Sequence, residues 1–119
     1  MYFFDTYAMI EGGKGNPNYA QYEGKQVNAS VYNKTEFFYS VLLEKGEKLA
    51  TEKMNQLNIS LLDVKDEDII EACKFKLKHK AKKLSYADCI GYTLARRNNM
   101  KFLTGHNQFK GMENVEFVK

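Results

Sequence analysis

Ser85-Tyr86-Ala87-Asp88-Cys89-Ile90-Gly91-Tyr92-Thr93-Leu94-Ala95, followed closely by Lys101-Phe102-Leu103-Thr104-Gly105, decides the architecture. Ala87, Ile90, Gly91, Leu94 and Ala95 recur at helical spacing and mark one inward face. Ser85 with Asp88 three residues on is the signature of a capped helix start. Lys101 to Thr104 then reads as a short strand ended by Gly105. The same alternation continues in both directions. Upstream, Asp66 is expected to cap a long helix with Ile69, Ile70, Cys73 and Leu77 on one face, and Ile59 to Leu62 is a strand. A polar helix over Glu47 to Gln56 precedes it. Before that, a helix from Thr35 carries Phe37, Phe38, Val41 and Leu42, and Gly46 closes it. Gln26 to Ala29 is a brief strand and Asn18 to Tyr22 a short helix. Tyr2-Phe3-Phe4 is an apolar strand, Asp5-Thr6 a cap, and Tyr7 to Ile10 a helix stopping at Gly12-Gly13. Downstream, Val115 to Val118 is a terminal strand. Strands alternating with helices predict a three-layer α/β/α sandwich around a central, mostly parallel sheet.

The 119 residues are expected to form a single domain over 1–119. Charged residues at 28%, hydrophobic residues at 44% and a mean hydropathy of −0.54 describe a soluble globular chain with enough apolar surface for a core. A net charge of +3 is too mild to declare a nucleic-acid binder by itself. Cys73 and Cys89 have no metal-type spacing, so a disulfide scaffold or zinc site is not expected. No stretch approaches the roughly 18 apolar residues of a membrane span. The start, Met1 to Asp5, lacks the basic region and long apolar run of a secretory leader, and a reducing, cytoplasmic setting is the expectation. Pro17 is the only proline, in the glycine-rich turn Glu11 to Asn18.

In parallel α/β sheets, ligands bind beyond the carboxyl ends of the strands. Asp5, Asp63 and His106 follow strands directly. Three acids stand out, and each has an ordinary structural explanation. Asp5 is a normal helix cap. Glu36 suits the positive end of a helix dipole, although its apolar company suggests a half-buried carboxylate needing a partner. Asp88 completes the Ser85 capping box.

Taken as a set, these motifs resemble the PIN-domain family. Phe3-Phe4-Asp5-Thr6-Tyr7-Ala8-Met9-Ile10-Glu11 looks like its opening strand and helix, and Asn33-Lys34-Thr35-Glu36 like the start of its next acidic helix. Leu84-Ser85-Tyr86-Ala87-Asp88-Cys89-Ile90-Gly91 is similar to the third acidic motif. Phe102-Leu103-Thr104-Gly105-His106-Asn107-Gln108-Phe109 is similar to the fourth. The resemblance spans essentially the whole chain, and the length is that of VapC-type toxins, which are stand-alone PIN domains. It implies a Mg²⁺- or Mn²⁺-dependent endoribonuclease that leaves a 5′-phosphate and a 3′-hydroxyl. Asp5, Glu36 and Asp88 would be catalytic, holding the cation directly or through water. Thr6, Thr104, His106 and Asn107 would support them or touch substrate. A homodimer and a cognate antitoxin are the implied protein partners, and RNA the substrate.

His106 departs from the pattern, because family members usually carry an acid there. Imidazole is a poor ligand for Mg²⁺ but acceptable for Mn²⁺. His106 is a functional substitute, a mark of a one-metal site that cleaves slowly, a mark of a degenerate PIN domain that binds RNA or protein without cutting, or a solvated loop residue. Glu11 and Glu113 are candidates to supply the missing charge. Lys74, Lys76, Lys78, Lys80, Lys82, Lys83 and His79 form either a phosphate-tracking face or a solvated helix. Arg96-Arg97 suit a helix carboxyl end, nucleic acid or an acidic partner. Phe37, Phe38 and Tyr39 cannot all enter one core. Tyr7, Tyr19, Tyr22 and Tyr39 fit either an interface or ordinary packing.

Overall fold

In a computed structural model describing residues 1–119, the five strands are β1 (Tyr2–Phe4), β2 (Val27–Ala29), β3 (Ile59–Leu61), β4 (Lys101–Thr104) and β5 (Val115–Phe117). They form one sheet in the order β3-β2-β1-β4-β5, and every pairing is parallel. Phe3 lies opposite Asn28 on one side and Phe102 on the other, so β1 is the central strand. The helices are α1 (Thr6–Gly13), α2 (Val31–Lys45), α3 (Glu47–Gln56), α4 (Asp66–Lys78) and α5 (Tyr86–Arg97). Short 3-10 turns cover Pro17–Tyr22, Lys80–Lys82 and Asn107–Phe109.

Successive residues of a strand point to opposite faces, and β1 divides its aromatics accordingly. Phe3 joins Phe102, Tyr92, Leu94 and Phe109 in the core under α4 and α5, while Phe4 joins Met9, Tyr19, Tyr22 and Phe37 under α1 and α2. Both faces of the sheet are therefore covered, and the three-layer sandwich expected from the alternation is what forms. α5 lies directly on the sheet because Gly91 has no side chain; a Cβ there would stand 2.9 Å from the Phe3 ring. Phe37 is buried, Phe38 half-buried and Tyr39 exposed, as their consecutive positions require.

Three local expectations need correction. α2 starts at Val31 rather than near Thr35, because Ser30 caps it and Asn33 closes the box by accepting from the Ser30 N–H. The N-cap of α4 is Lys65 rather than Asp66, and the carboxylate that returns a bond to it belongs to Asp68 (2.9 Å). The third correction is larger. The apolar stripe of α4 faces solvent: Ile69, Ile70 and Leu77 are exposed, as is Cys73. Its inward side carries Asp68, Ala72 and Phe75 instead. Two contacts set that rotation. Asp68 is buried in a two-pronged ion pair with Arg97 (2.5 and 2.9 Å), and Phe75 stacks on Tyr92 with ring centroids 4.8 Å apart. A buried carboxylate must keep its partner, so the ion pair outranks the burial of isoleucines that stay partly hydrated on either face. No helix is long and apolar enough to cross a membrane.

Candidate functional site

The chain runs from β1 outward to β2 and β3, then returns across β1 to β4 and β5. The order reverses between β1 and β4, which is where open α/β sheets leave a crevice. Asp5 directly follows β1 at that point and Thr104 ends β4. The Asp5 N–H donates to the Leu103 carbonyl (3.2 Å), so the two strands remain stitched together beneath the crevice.

Asp5 is 2% exposed. One carboxylate oxygen caps α1 by accepting from the Ala8 N–H at 2.8 Å, so the helix-cap explanation holds, but it accounts for one oxygen only. Burial pushes the Asp5 carboxyl up from 3.8 to about 7, with Thr104 and the Ala8 N–H pulling the other way and the charges of Asp88 and Glu36 adding to the rise. The three acids thus lie within electrostatic reach of one another. The helix cap uses one carboxylate oxygen and leaves the burial of the whole group unexplained.

Glu36 corrects its own expectation. α2 begins at Val31 with no acid in its first turn, so Glu36 is in the second turn and beyond the strongest part of the helix dipole. It is also exposed rather than half-buried. What positions it is Thr6, whose hydroxyl donates to Glu36 Oε1 at 2.6 Å. Thr6 in turn accepts from Asn33 Nδ2 at 3.3 Å, and Asn33 is held by the Ser30 hydroxyl at 2.6 Å. The capping box of α2 therefore anchors a relay of three side chains ending on the Glu36 carboxylate. Asp88 is half-buried and makes the capping box read from the sequence, accepting from the Ser85 N–H at 3.0 Å through Oδ2. Its Oδ1 makes no hydrogen bond and is free for another partner.

Thr104 is fully buried, and its hydroxyl accepts from the His106 N–H at 3.0 Å. Gly105 between them has no room for a side chain, since a Cβ would overlap the Tyr7 ring and the Val118 carbonyl. His106 is half-buried, edge-on to Phe109 with centroids 6.1 Å apart, and its Nδ1 is sealed from solvent without a hydrogen-bond partner. It is not the freely solvated loop residue that one sequence reading allowed. Asn107 is exposed, with no side-chain hydrogen bond.

Other candidates fall elsewhere. Asp63 is exposed, beyond edge strand β3. Glu11 sits toward the far end of α1, bonded to Asn16 at 2.9 Å and paired with Lys14 at 3.7 Å. Glu113 precedes β5, and its carbonyl accepts from the Tyr92 hydroxyl at 2.6 Å. Neither replaces the acid missing at His106. Arg97 is consumed by Asp68, and Arg96 lies over the Tyr92 ring at 5.9 Å. Tyr19 and Tyr22 are buried, Tyr7 is half-buried, and only Tyr39 of that group is exposed.

No three His, Cys, Asp or Glu side chains converge closely enough to enclose an ion unaided. The donors are nevertheless the right kind for a hard divalent cation: oxygens alone, one of them on a carboxylate whose charge is disfavoured by burial and, less, by its acidic neighbours. The set fits a cation held by Asp5 with Glu36 and Asp88 assisting, and with solvent completing the shell.

The family model for the PIN domain matches residues 2–114, and the chain belongs to that family. No curated protein matches in sequence. Among solved structures, the fold is similar to Mycobacterium tuberculosis VapC20, described as a sarcin-ricin loop cleaving toxin, with a TM-score of 0.81 at 13% identity over 100% of both chains. It is also similar to a chain of VapBC2 from Rickettsia felis bound to a promoter DNA fragment, with a TM-score of 0.76 at 16% identity over 99% of this chain and 98% of that one. A toxin–antitoxin complex from Klebsiella pneumoniae gives 0.69 at 19% identity over 98% and 96%. At these identities the likeness concerns the fold.

Proposed function

We propose that the chain is a single PIN domain acting as a divalent-metal-dependent endoribonuclease, the toxin of a toxin–antitoxin pair. The observation that carries this reading is Asp5: a buried carboxylate at the sheet's switch point, raised to about 7 and facing the charges of Asp88 and Glu36. Mg²⁺ or Mn²⁺ bound there would supply charge neutralisation at the scissile phosphate and an activated water for in-line attack. Asp5 fixes the cation's place because its own position is set by the α1 cap. Asp88 keeps one carboxylate oxygen, Oδ1, free of hydrogen bonds, and Glu36 is steered by Thr6. Thr104 holds the loop that carries His106 and tempers the Asp5 charge.

The toxin assignment rests on the shared fold of a toxin–antitoxin complex, of a VapC described as a toxin, and of a VapBC2 chain. The exposed apolar stripe of α4 supports a second copy or an antitoxin as partner, and a cytoplasmic setting agrees with two free cysteines. A second reading, a degenerate PIN domain that binds without cutting, is favoured by His106, whose sealed Nδ1 contributes no negative charge. Cleavage of RNA in Mg²⁺ and then Mn²⁺ separates them, run beside Asp5→Asn, Asp88→Asn and His106→Asp. Divalent-dependent cutting by the parent that disappears in Asp5→Asn supports the nuclease. A silent parent revived by His106→Asp establishes the degenerate reading for the natural chain.

A further inference from the structure

The nuclease reading, on which this inference rests, creates an electrostatic difficulty. Three carboxylates would repel the phosphates flanking the scissile bond, so cations must stand close to the crevice. Six lysines and no acid fall between residues 74 and 83, twice the net charge of +3 on the whole chain, which leaves the rest of the protein net acidic. The fold brings this segment to the site. α4 lies antiparallel to α5: its first turn meets the end of α5 through Asp68 and Arg97, and its last turn meets the start of α5, where Lys76 Nζ donates to the Leu84 carbonyl. The lysine-rich end therefore arrives beside Ser85 and Asp88. Lys82 Nζ then donates to the Gln108 carbonyl at 2.8 Å, on the loop that carries His106. Lys76 and Lys82 are thus fasteners that tie the turn to the start of α5 and to the loop after β4, and Lys74 pairs with Glu71 at 3.4 Å. Lys78, Lys80 and Lys83 are exposed and have no ion pair.

A second observation points to the ligand. Tyr86, the first residue of α5 and two positions from Asp88, is 67% exposed, with Lys76 Nζ 4.9 Å from its ring centroid. Apolar burial does not explain a large exposed ring in this place. An exposed ring beside a lysine, at the edge of a phosphodiester site, is the arrangement that stacks an unpaired base while further lysines follow the backbone. An acidic protein segment would use the lysines but leave the ring without a role.

We propose that Tyr86 and the Lys78–Lys83 turn form the substrate rail of this enzyme, stacking an unpaired RNA base on Tyr86 and holding the adjoining phosphates with Lys78, Lys80 and Lys83.

The test measures binding of a short fluorescein-labelled single-stranded RNA of mixed sequence by anisotropy, in EDTA to prevent cleavage and across a salt series. Tyr86→Ala is expected to weaken binding about five- to a hundredfold, and Tyr86→Phe to stay within about twofold. The triple variant Lys78→Ala/Lys80→Ala/Lys83→Ala is expected to flatten the slope of log K against log salt by about 2. Thermal midpoints matching the parent show that the variants fold. If the parent binds and cleaves RNA and these variants bind as it does, the rail is wrong and the nuclease reading stands. A parent that neither binds RNA nor cuts it with Mg²⁺ or Mn²⁺ overturns both. Equal losses in Tyr86→Ala and Tyr86→Phe refute stacking. If the lysine variant loses a polyglutamate probe while keeping RNA, the surface serves an acidic protein and the inference fails.

Discussion

Replacing Asp5 by Asn should make the metal-free protein more stable in alkaline solution while removing its activity. In the parent, burial raises the Asp5 carboxyl from 3.8 to about 7, so the folded chain holds a proton that the unfolded chain releases. Between those values the folded state binds more protons, and its stability falls as pH rises. Every pH unit separating the two values is worth about 1.4 kcal/mol, so the loss grows from nothing near pH 4 to at most about 4 kcal/mol above pH 7. Asn carries no charge, keeps an oxygen for the Ala8 N–H, and presents an amide that can donate to Thr104. For a chain of 119 residues the gain at about pH 8 should raise the midpoint by on the order of 10 °C. The assay is thermal unfolding by circular dichroism from about pH 4 to 8, in EDTA and then in saturating Mg²⁺ or Mn²⁺. In EDTA the advantage of Asp5→Asn should open as pH rises. The metals should lift the parent and not the variant, by about 2.7 kcal/mol at a hundredfold excess over Kd. An advantage that does not vary with pH, or an Asp5→Asn protein less stable than the parent at the alkaline end, would refute the argument.

Arg97→Ala leaves Asp68 buried and without its guanidinium partner and should cost about 3 kcal/mol, whereas a combined Arg97→Met/Asp68→Leu should recover part of it, less about 1 kcal/mol for the lost α4 cap at the Lys65 N–H; urea unfolding of both checks the cycle. Gly105→Ala forces a methyl against the Tyr7 ring and the Val118 carbonyl and should cost about 3 kcal/mol, measured the same way. Thr6→Val breaks the hydrogen bond that steers Glu36, which is exposed, so the thermal midpoint should move little while cleavage falls about tenfold. Equal losses of stability and activity would show that Thr6 acts only as part of the fold.

The alternation that names the sandwich is legible because strand and helix signals here are local. Ser85 and Asp88 announce their own helix, and Phe3 with Phe4 can only be a doubly buried strand. The start of α2 is harder to read. Ser30-x-x-Asn33 performs the capping that Glu or Gln usually performs at that spacing, and Thr35 next to an apolar run is the more familiar signal. The α4 face misleads for a different reason. Periodicity reports which residues share a side, and only a distant partner, Arg97, decides which side turns inward. The site divides along the same line. Asp5 and Asp88 are visible as residues that follow a strand or open a helix. The relay from Ser30 through Asn33 and Thr6 to Glu36 joins segments about thirty residues apart, and no local pattern contains it. Tyr86 escapes a reading of the sequence because exposure on the first turn of a helix leaves no mark there.

The pairing of β1 with β4 also bears on how the molecule is made. Phe3 aligns with Phe102, so the central strand waits for a neighbour synthesised most of a domain later. Until Leu103 arrives, the Asp5 N–H has no carbonyl to meet, and Thr104 is not yet beside the carboxylate. Early segments can form helices, but the crevice cannot exist on a partial chain, because its two lips come from opposite ends of the domain. A long loop must close before these contacts form, which slows folding and concentrates it after synthesis. On the nuclease reading proposed above, cleavage is thereby withheld from nascent chains still on the ribosome, and a transcript cut short before β4 yields a product that lacks the β4 side of the crevice.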